Sequence, residues 1–264
     1  MTTSSDPTLI TSRDNPFLKD LRRLAQEAGG YRKAGQVWLE GEHLCGALLA
    51  RGGRPQVAVF AESAWAGALP AWTQAAARNV LLPDALFETL SGLESPARMG
   101  FVLALPPAAA LVPDAPTVVL DRVQDAGNVG AILRCASAFG FQQVIALKGT
   151  AGLWSPKVLR AGMGAHFGLR MIEQASPDLL EHLEVPLVTT SSHQGELLHQ
   201  ASLPWPCAWA FGHEGQGVGP EVAGRGSLAV RIIQPGGEES LNVATAAAIC
   251  LHASAAAAAS LPSH

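Results

Sequence analysis

This chain is organised around the stretch Ser240-Leu241-Asn242-Val243-Ala244-Thr245, which opens a long Ala-rich run that continues to Ser260. A strand-like segment at residues 228–233 and a Gly-rich turn at residues 234–239 come directly before it. The Ser240 hydroxyl can accept a hydrogen bond from an unpaired N–H of a first helical turn, so we expect Ser240 to cap a helix here. A strand, a Gly-rich turn and a helix N-terminus together predict a place where backbone amides converge on a ligand.

Two earlier stretches have the same character and are predicted to contribute to the same pocket. The first has the pattern D-x-x-N-x-G-x-x-x-R, with Asp125, Asn128, Gly130 and Arg134 at its fixed positions. The second is a turn at residues 211–217, in which Gly-x-Glu-Gly-x-Gly follows an apolar strand. Glycines in such a turn allow the backbone to approach a flat ligand closely.

Taken in order, the three stretches resemble the three motifs of the SpoU (TrmH) family of RNA ribose 2′-O-methyltransferases, in the SPOUT superfamily. The resemblance covers roughly residues 117–258. It implies methyl transfer from S-adenosylmethionine to a ribose hydroxyl of RNA, a reaction that needs no metal. Ribosomal RNA is the preferred substrate class, with transfer RNA as the other possibility.

The resemblance also implies two structural properties that pattern alone does not indicate. One is a deep C-terminal trefoil knot, which ordinary topology rules never predict. The other is a homodimer in which each knotted domain helps to form the site of its partner. The helix after Ser240 and residues 156–163 are then the expected interface.

Roles for individual residues follow from the same resemblance. Arg134 is expected to grip a phosphate or ribose, and because an arginine pKa lies above about 12, an Arg-bound phosphate accepts the 2′-hydroxyl proton more readily than Arg134 itself. Glu214 is expected either to contact substrate or to support its own loop. The implied catalytic set is Asn128, Arg134, Glu214, Ser240 and Asn242. The implied cofactor-binding set is Phe211, Gly212, Gly215, Ile233, Leu241 and Val243.

Simpler interpretations of single residues stay open at this stage. Ser240 can be a helix cap and nothing more, and Arg134 can be an ordinary surface arginine of a helix. His213 could be proposed as a base, but a histidine in such a turn is more often an exposed loop residue. A Gly-rich turn on its own is a weak signal.

The rest of the chain predicts an α/β fold. Residues 117–264 contain short apolar strands separated by helices, which indicates a parallel sheet with helices on both faces. Ligands of such sheets bind beyond the carboxyl ends of the strands, where all three motifs fall. A Pro/Ala linker at residues 106–116 separates this part from residues 1–105. That first part predicts a small α/β domain, with a helix over residues 64–78, and it resembles the RNA substrate-binding domain often fused ahead of SpoU catalytic domains.

Charge gives limited support for an RNA partner. The formal net charge is −4, but residues 1–54 carry 8 Lys and Arg against 6 Asp and Glu, or +2. A modest basic patch can hold RNA through few phosphate contacts and with a shallow salt dependence, although a solvated helix face is the simpler interpretation. The candidate RNA-binding residues are Arg22, Arg23, Arg32, Lys33 and Arg160.

Composition argues against several classes of protein. The polar residues 1–6 lack the apolar core of a secretory signal, and the Ala-rich C-terminus is interrupted by His252 and other polar residues, so we predict a packed helix and no membrane span. The four cysteines lie far apart and form no C-x-x-C pair. Zinc and disulfides are therefore not expected, and a cytoplasmic location is predicted.

Two functions of other classes compete with the methyltransferase. A non-catalytic RNA-binding or ribosome-assembly factor could retain the fold, although the intact set of Asn128, Arg134, Glu214 and Asn242 argues against it. A dinucleotide-dependent enzyme could use the Gly-rich turns, but no G-x-G-x-x-G follows the first strand of the second part. The sequence does not indicate which nucleotide of which RNA is modified.

Overall fold

A computed structural model describes residues 6–91, 97–191, 194–236 and 240–260. The chain divides into two compact units. The first comprises Met1–Pro107 together with Trp154–Phe167, and the second comprises Ala108–Leu153 together with Gly168–His264. The chain first passes from one unit to the other between Pro107 and Ala108, within the Pro/Ala segment. Residues 154–167, which the sequence places in the second domain, group with the first unit.

The elements follow each other in the order expected of an α/β protein. The strands are β1 (Thr8–Leu9), β2 (Gln36–Glu40), β3 (Val57–Ala61), β4 (Arg78–Leu82), β5 (Met99–Ala104), β6 (Thr117–Asp121), β7 (Gln143–Leu147), β8 (Arg170–Ala175), β9 (Leu187–Thr190), β10 (Glu196–Leu197), β11 (Ala208–Gly212) and β12 (Leu228–Arg231). The helices are α1 (Pro16–Gln26), α2 (Gly30–Ala34), α3 (Glu42–Ala50), α4 (Glu62–Trp65), α5 (Pro70–Thr73), α6 (Asp84–Glu88), α7 (Ala126–Ala138), α8 (Pro156–Gly162), α9 (Pro220–Ala223) and α10 (Val243–Ala259), with 3₁₀ helices at Ala165–Gly168 and Pro177–His182.

The first unit contains a mixed sheet with the strand order β1-β4-β3-β5-β2. Strands β1, β4 and β3 run parallel, while β5 is antiparallel to both β3 and β2. Helix α1 begins where the sequence predicts, because the Asn15 side chain accepts a hydrogen bond from the Phe17 N–H and Pro16 occupies the first helical position. Leu18, Leu21 and Leu24 form its buried face.

The helix predicted over residues 64–78 is wrong. The structure has two short helices there, α4 and α5, and Arg78 already begins β4. Pro70 is the reason for the break, because a proline in a helix interior lacks the N–H and clashes with the preceding turn, whereas it is well placed as the first residue of α5. The end of the predicted helix instead pairs with β3.

The second unit contains the predicted parallel sheet, with the strand order β10-β12-β9-β11-β6-β7-β8. Each pairing described within it is parallel. All residues of β6, β7 and β11 are buried, as expected of strands covered on both faces. This confirms the α/β fold class with a parallel sheet. Strands β8 and β10 at the sheet edges were not predicted.

Alternate residues of β11 face two different layers. Trp209 donates a hydrogen bond from Nε1 to Ser254 Oγ of α10 at 2.9 Å, and both side chains are buried. Ala208 and Ala210 instead join an apolar cluster that includes Leu180 and Val222. Helix α10 also packs against α7. One face of the sheet is thus covered by α7 and α10, and the other by the 3₁₀ helix Pro177–His182 and α9.

The cap of the last helix differs from the prediction. Helix α10 begins at Val243, and its N-cap is Asn242, whose Oδ1 accepts hydrogen bonds from the N–H groups of Ala244 and Thr245. Ser240 stands two residues before this cap and is exposed, so the prediction that Ser240 caps the helix is wrong. Within the described ranges, no helix combines the length and the apolar character needed to cross a membrane.

Candidate functional site

Three loops meet near the carboxyl ends of β6 and β11 in the second unit. The two strands are neighbours in the sheet, and their last residues, Asp121 and Gly212, pair directly. The segment after β6 leads into α7, and the segment after β11 forms the Gly-rich turn of the second motif, which is the turn meant below. Because parallel strands end at the same edge of a sheet, the first two motifs are placed side by side.

The Glu214 carboxylate connects these two motifs. Its Oε2 accepts a hydrogen bond from the Gln124 N–H at 3.2 Å, and its Oε1 accepts from the Asp125 N–H at 3.0 Å. The same Oε1 accepts from Asn128 Nδ2 at 3.2 Å. Partial burial alone raises the pKa of Glu214, but these donors stabilise the charged form and hold its pKa below the usual range. Glu214 is therefore an ionised buttress of the first motif.

Asn128 and Asn242 extend this contact to the third motif. Asn128 Oδ1 accepts a hydrogen bond from Asn242 Nδ2 at 2.9 Å. Asn242 Oδ1 accepts from the N–H groups of Ala244 at 2.9 Å and Thr245 at 3.2 Å. Since backbone N–H groups can only donate, Asn242 Oδ1 must face the helix and its Nδ2 must face Asn128. The amide orientations are thus set by the start of α10 at one end and by the Glu214 carboxylate at the other.

Helix α7 begins inside the first motif. The Asp125 side chain is its N-cap and accepts from the Asn128 N–H at 2.8 Å. Asn128 therefore lies in the first turn of the helix, and Arg134 lies further along it. Arg134 is exposed, and among the residues that the structure describes it has no hydrogen-bond or ion-pair partner. Its charge is available for a phosphate.

The Gly-rich turn is closed by its own backbone. The Gly217 N–H donates to the His213 carbonyl at 2.8 Å, and the Gly215 N–H donates to His213 Nδ1 at 3.0 Å. A Cβ added at Gly212 would lie 2.0 Å from the Gly217 carbonyl carbon, so only glycine allows this approach. His213 is half-buried and serves the turn as an acceptor. The hydrogen bond from the Gly215 N–H thus gives His213 a structural role within the turn.

Asp121 and Arg122 hold the base of this turn and are absent from the predicted site. Asp121 Oδ2 accepts from the Gly219 N–H at 2.6 Å, and its Oδ1 accepts from Arg122 Nε at 2.9 Å. Arg122 Nη1 donates to Gln216 Oε1 at 3.0 Å. The hydrogen bond to Asp121 raises the pKa of Arg122 further above its already high value. The only sequence signal was a charged pair at the end of an apolar strand.

The predicted cofactor-binding residues fall into three groups. Phe211 is fully buried and stacks on Trp209, with ring centroids 6.0 Å apart, so its side chain belongs to the core. Gly212 and Gly215 lie in the closed turn, and Val243 is the partly buried first residue of α10. Ile233 and Leu241 are exposed at 51% and 37% of their surface.

These residues fit an adenosine-like ligand on two observations. Ile233 and Leu241 expose apolar surface around the third motif, which a flat heterocycle can cover. Between them in sequence, Gln234 Oε1 is buried and finds no hydrogen-bond partner in the part of the chain that the structure describes. A buried polar atom without a partner is costly unless a ligand supplies one.

The predicted RNA-binding residues all lie in the first unit. Arg22 donates to Thr89 Oγ1 and to the Arg13 carbonyl, and Arg23 forms an ion pair with Asp20. These contacts occupy both side chains within the unit. The other three residues are Arg32, which lies over the Tyr31 ring, Lys33, which is exposed, and Arg160, whose Nη1 lies 3.9 Å from a carboxylate oxygen of Glu40. Among the described residues, no group of three or more His, Cys, Asp or Glu side chains could hold a metal ion.

Comparison with known proteins identifies the class. Residues 115–252 match the SpoU rRNA Methylase family. The fold and site therefore define an RNA methyltransferase. More particularly, the chain belongs to the SpoU rRNA Methylase family, which confirms the resemblance seen in the three motifs.

Individual relatives cover nearly the whole chain. An uncharacterized tRNA/rRNA methyltransferase of Synechocystis sp. is 32% identical, over 94% of this chain and 94% of its own. The 23S rRNA (guanosine(2553)-2′-O)-methyltransferase RlmP of Bacillus subtilis is 28% identical, over 92% of this chain and 97% of its own. A crystal structure of an AdoMet-bound rRNA methyltransferase from Sinorhizobium meliloti has a TM-score of 0.83 and 24% identity, covering 98% of this chain and all of that one (100%), and supports the fold.

Asn242→Asp is expected to separate helix capping from the contact to Asn128. Aspartate keeps an acceptor for the Ala244 and Thr245 N–H groups, so the free energy of unfolding should fall by less than about 1 kcal/mol. It has no N–H to give Asn128, and methyl transfer should fall by about 10²-fold, as misplaced catalytic groups commonly cause. Urea denaturation and a methyl-transfer assay measure the two effects. Asn242→Ala, which loses both contacts, is the control, and full activity in Asn242→Asp would refute the role.

The lowered pKa of Glu214 predicts a pH dependence with a definite sign. An ionised Glu214 contributes stability that is fully present above its unfolded-state pKa and is lost as the pH falls through its lower folded-state pKa. The amide proton signals of Gln124 and Asp125 should therefore titrate together in NMR spectra, with a midpoint below 4.5, the ordinary value. Glu214→Gln should abolish this step. A midpoint above 4.5 would contradict the assignment.

Proposed function

We propose that this chain transfers a methyl group from S-adenosylmethionine to a ribose 2′-hydroxyl of ribosomal RNA. The observation that carries the proposal is the continuous set of hydrogen bonds from Glu214 through Asn128 to Asn242. It joins all three family motifs in one site. The exposed Arg134 lies further along the helix that begins in the same motif as Asn128. The relative RlmP, whose name specifies a 2′-O-methylation of 23S rRNA, supports ribose and ribosomal RNA as the substrate class.

The residues of the second and third motifs form the proposed cofactor site. Gly212, Gly215 and the backbone of Phe211 contribute the closed turn, while Ile233, Leu241 and Val243 contribute apolar surface. When bound, S-adenosylmethionine supplies an electrophilic methyl group on a sulfonium centre. The rRNA methyltransferase from Sinorhizobium meliloti has been crystallised with AdoMet bound, which supports the same cofactor here.

The chain's own residues orient the substrate and receive its proton. Arg134 binds a phosphate of the RNA and holds it beside the reacting ribose, and a non-bridging oxygen of that phosphate takes the 2′-hydroxyl proton. Asn128 and Asn242 hold the neighbouring polar groups, and Ser240, exposed two residues before Asn242, contributes its hydroxyl. Glu214 keeps Asn128 in place. Orientation of this kind can lower a barrier by about 7–11 kcal/mol.

The C-terminal segment is proposed to form a trefoil knot. After β12, which is separated from β11 by β9, the chain returns to place α10 against β11 and α7. A return of this kind brings the third motif back to the first two. The family resemblance, together with this return, supports the knot.

The first unit is proposed to bind the RNA substrate, as the N-terminal part of the resemblance implies, within the domain bounds 1–105 and 117–264. Arg32 and Lys33 lie on α2 and are exposed. They are the first candidates for phosphate contacts. A cytoplasmic location also belongs to the proposal, on the ground of four cysteines that stand apart from one another.

The protein is further proposed to be a homodimer through α10. This helix contains no Asp, Glu, Lys or Arg between Val243 and Ala259, and Ile249 on it is 39% exposed. Exposed helix faces of monomeric proteins usually carry charge, so an uncharged one favours cover by a second copy. The α8 segment is the other predicted part of the interface.

Arg134→Ala should strongly reduce methyl transfer while S-adenosylmethionine still binds, because Arg134 acts on the RNA. The assay follows radiolabelled methyl from S-adenosylmethionine into unmodified ribosomal and transfer RNA, and calorimetry follows cofactor binding. We expect a loss of about 10²-fold or more, typical of removing one charge-stabilising donor. Arg170→Ala is the matched control, since Arg170 is exposed at the opposite, amino-terminal end of β8.

The possible outcomes separate the proposal from its rival. If the wild-type protein binds RNA but neither binds S-adenosylmethionine nor transfers methyl, the non-catalytic RNA-binding or ribosome-assembly factor replaces the enzyme. If Arg134→Ala keeps full activity, the role of Arg134 is refuted while the activity stands. Methyl transfer to transfer RNA alone would change the substrate class.

Ile249→Glu should convert the protein to a monomer and reduce its activity. A carboxylate placed on an apolar interface loses its water without gaining a partner, which opposes association. Sedimentation equilibrium of wild type and variant measures the change in mass. Lys148→Glu, a charge change on an exposed residue after β7, is the control. A wild-type protein that is active as a monomer would refute the dimer.

A further inference from the structure

We propose that Asp121 and Arg122 form a positioning clamp that holds the Gly-rich turn, residues 213–219, so that Glu214 reaches the first motif. The inference rests on the function proposed above and adds two residues that the motifs do not contain. Neither side chain is assigned to the substrate. The clamp acts through the turn on Glu214, and through Glu214 on Asn128.

The clamp contacts the turn at two points, one inside the ring closed by the Gly217–His213 hydrogen bond and one beyond it. Asp121 Oδ2 accepts the Gly219 N–H at 2.6 Å, where the turn leads into α9. Arg122 Nη1 donates to Gln216 Oε1 at 3.0 Å, two residues beyond Glu214. Since the turn is already closed by its own hydrogen bonds, fixing these two points fixes the whole of it. The Glu214 carboxylate is then placed without any further freedom of the loop.

The backbone of Arg122 is arranged for this contact at a cost. Arg122 has φ of +60°, in the left-handed region that non-glycine residues rarely adopt. In a continuing strand, neighbouring side chains point to opposite faces, and Arg122 could not reach Asp121. The left-handed turn allows Arg122 Nε to lie 2.9 Å from Asp121 Oδ1. Strained residues of this kind cluster at functional sites.

A second set of contacts maintains this strained conformation. The Arg122 N–H donates to Thr150 Oγ1 at 3.1 Å, and Thr150 Oγ1 itself donates to the Leu120 carbonyl at 2.9 Å. A Cβ on Gly149 would lie 3.1 Å from Arg122 Cγ, and one on Gly219 would lie 2.9 Å from Arg122 Nη2. The Arg122 side chain is thus confined near its Cγ by Gly149 and near its guanidinium by Gly219. Asp121 itself is nearly buried, with 6% of its side chain exposed.

Arg225 shows what an ordinary structural arginine looks like in the same unit. Its Nη2 pairs with Asp178 and Glu181, at 3.2 Å and 2.9 Å. These partners lie in the 3₁₀ helix Pro177–His182, and none of the contacts described for Arg225 is to residues 213–219. The comparison separates an arginine that only joins two elements from one that holds a turn carrying a motif residue.

The test is a double-variant cycle with Arg122→Gly and Gln216→Ala. Glycine adopts a positive φ without strain, so Arg122→Gly removes the side chain while keeping the backbone. Each variant should lower kcat by about tenfold, and because the turn keeps its own closing hydrogen bonds, the KM for S-adenosylmethionine should rise by a smaller factor. The double variant should be no worse than Arg122→Gly alone, because contacting residues couple. Arg225→Ala combined with Gln216→Ala is the matched pair, whose effects should multiply.

A second measurement does not depend on catalysis. The side-chain NH₂ signal of Asn128 in NMR spectra reports its hydrogen bond to Glu214, and it should shift in Arg122→Gly and in Gln216→Ala but stay unchanged in Arg225→Ala. If wild type transfers no methyl, the proposed function fails while this signal still tests the clamp. The clamp is overturned if Gln216→Ala leaves both kcat and the Asn128 signal unchanged, or if the effects of Arg122→Gly and Gln216→Ala multiply.

Discussion

The site depends on one carboxylate that accepts hydrogen bonds from a neighbouring loop. Glu214 follows β11, and its three donors follow β6, so this side chain joins segments that are far apart in sequence, Glu214 being the 89th residue after Asp125. The direct pairing of Asp121 with Gly212 brings the strand ends level, and only then can Glu214 reach the Gln124 and Asp125 N–H groups. Parallel pairing thus supplies the coarse placement, and the carboxylate supplies the fine one.

The hydrogen bonds of the site also share one donor-to-acceptor direction. The donors run from the start of α10 to Asn242, from Asn242 to Asn128, and from Asn128 to Glu214 in a single sense. Each side-chain amide has two N–H groups and two lone pairs, and the contacts described use one N–H of each. The remaining N–H of Asn128 and Asn242 stays available for an acceptor on a substrate. A network that is fully oriented before substrate arrives needs no reorganisation during the reaction.

Much of this could be predicted from the sequence, and the failures have physical causes. Apolar strands and helices repeat clearly enough to predict the parallel sheet, and the spacing around Asn128, Glu214 and Asn242 indicated one site. The cap at Asn242 was missed because Ser240 and Asn242 are both good capping residues and only the backbone angles decide between them. The helix predicted over residues 64–78 fails because Pro70 interrupts a segment whose composition otherwise favours a helix. The positive φ of Arg122 has no sequence signal, since the hydrogen bond that accompanies it is to Thr150, distant in the chain.

The charges of Glu214 and Arg134 limit which groups of the site can accept the ribose proton. A carboxylate whose pKa is held low by three donors is a weak base, so Glu214 is poorly suited to remove a proton from a ribose hydroxyl. Arg134 cannot accept a proton either, because a guanidinium stays charged. Glu214 is thus an ionised support of the first motif, and Arg134 is a cation that can attract a phosphate. The phosphate proposed to bind Arg134 is itself a weaker base than a carboxylate, so its place beside the ribose, and not its basicity, is what would qualify it as the proton acceptor.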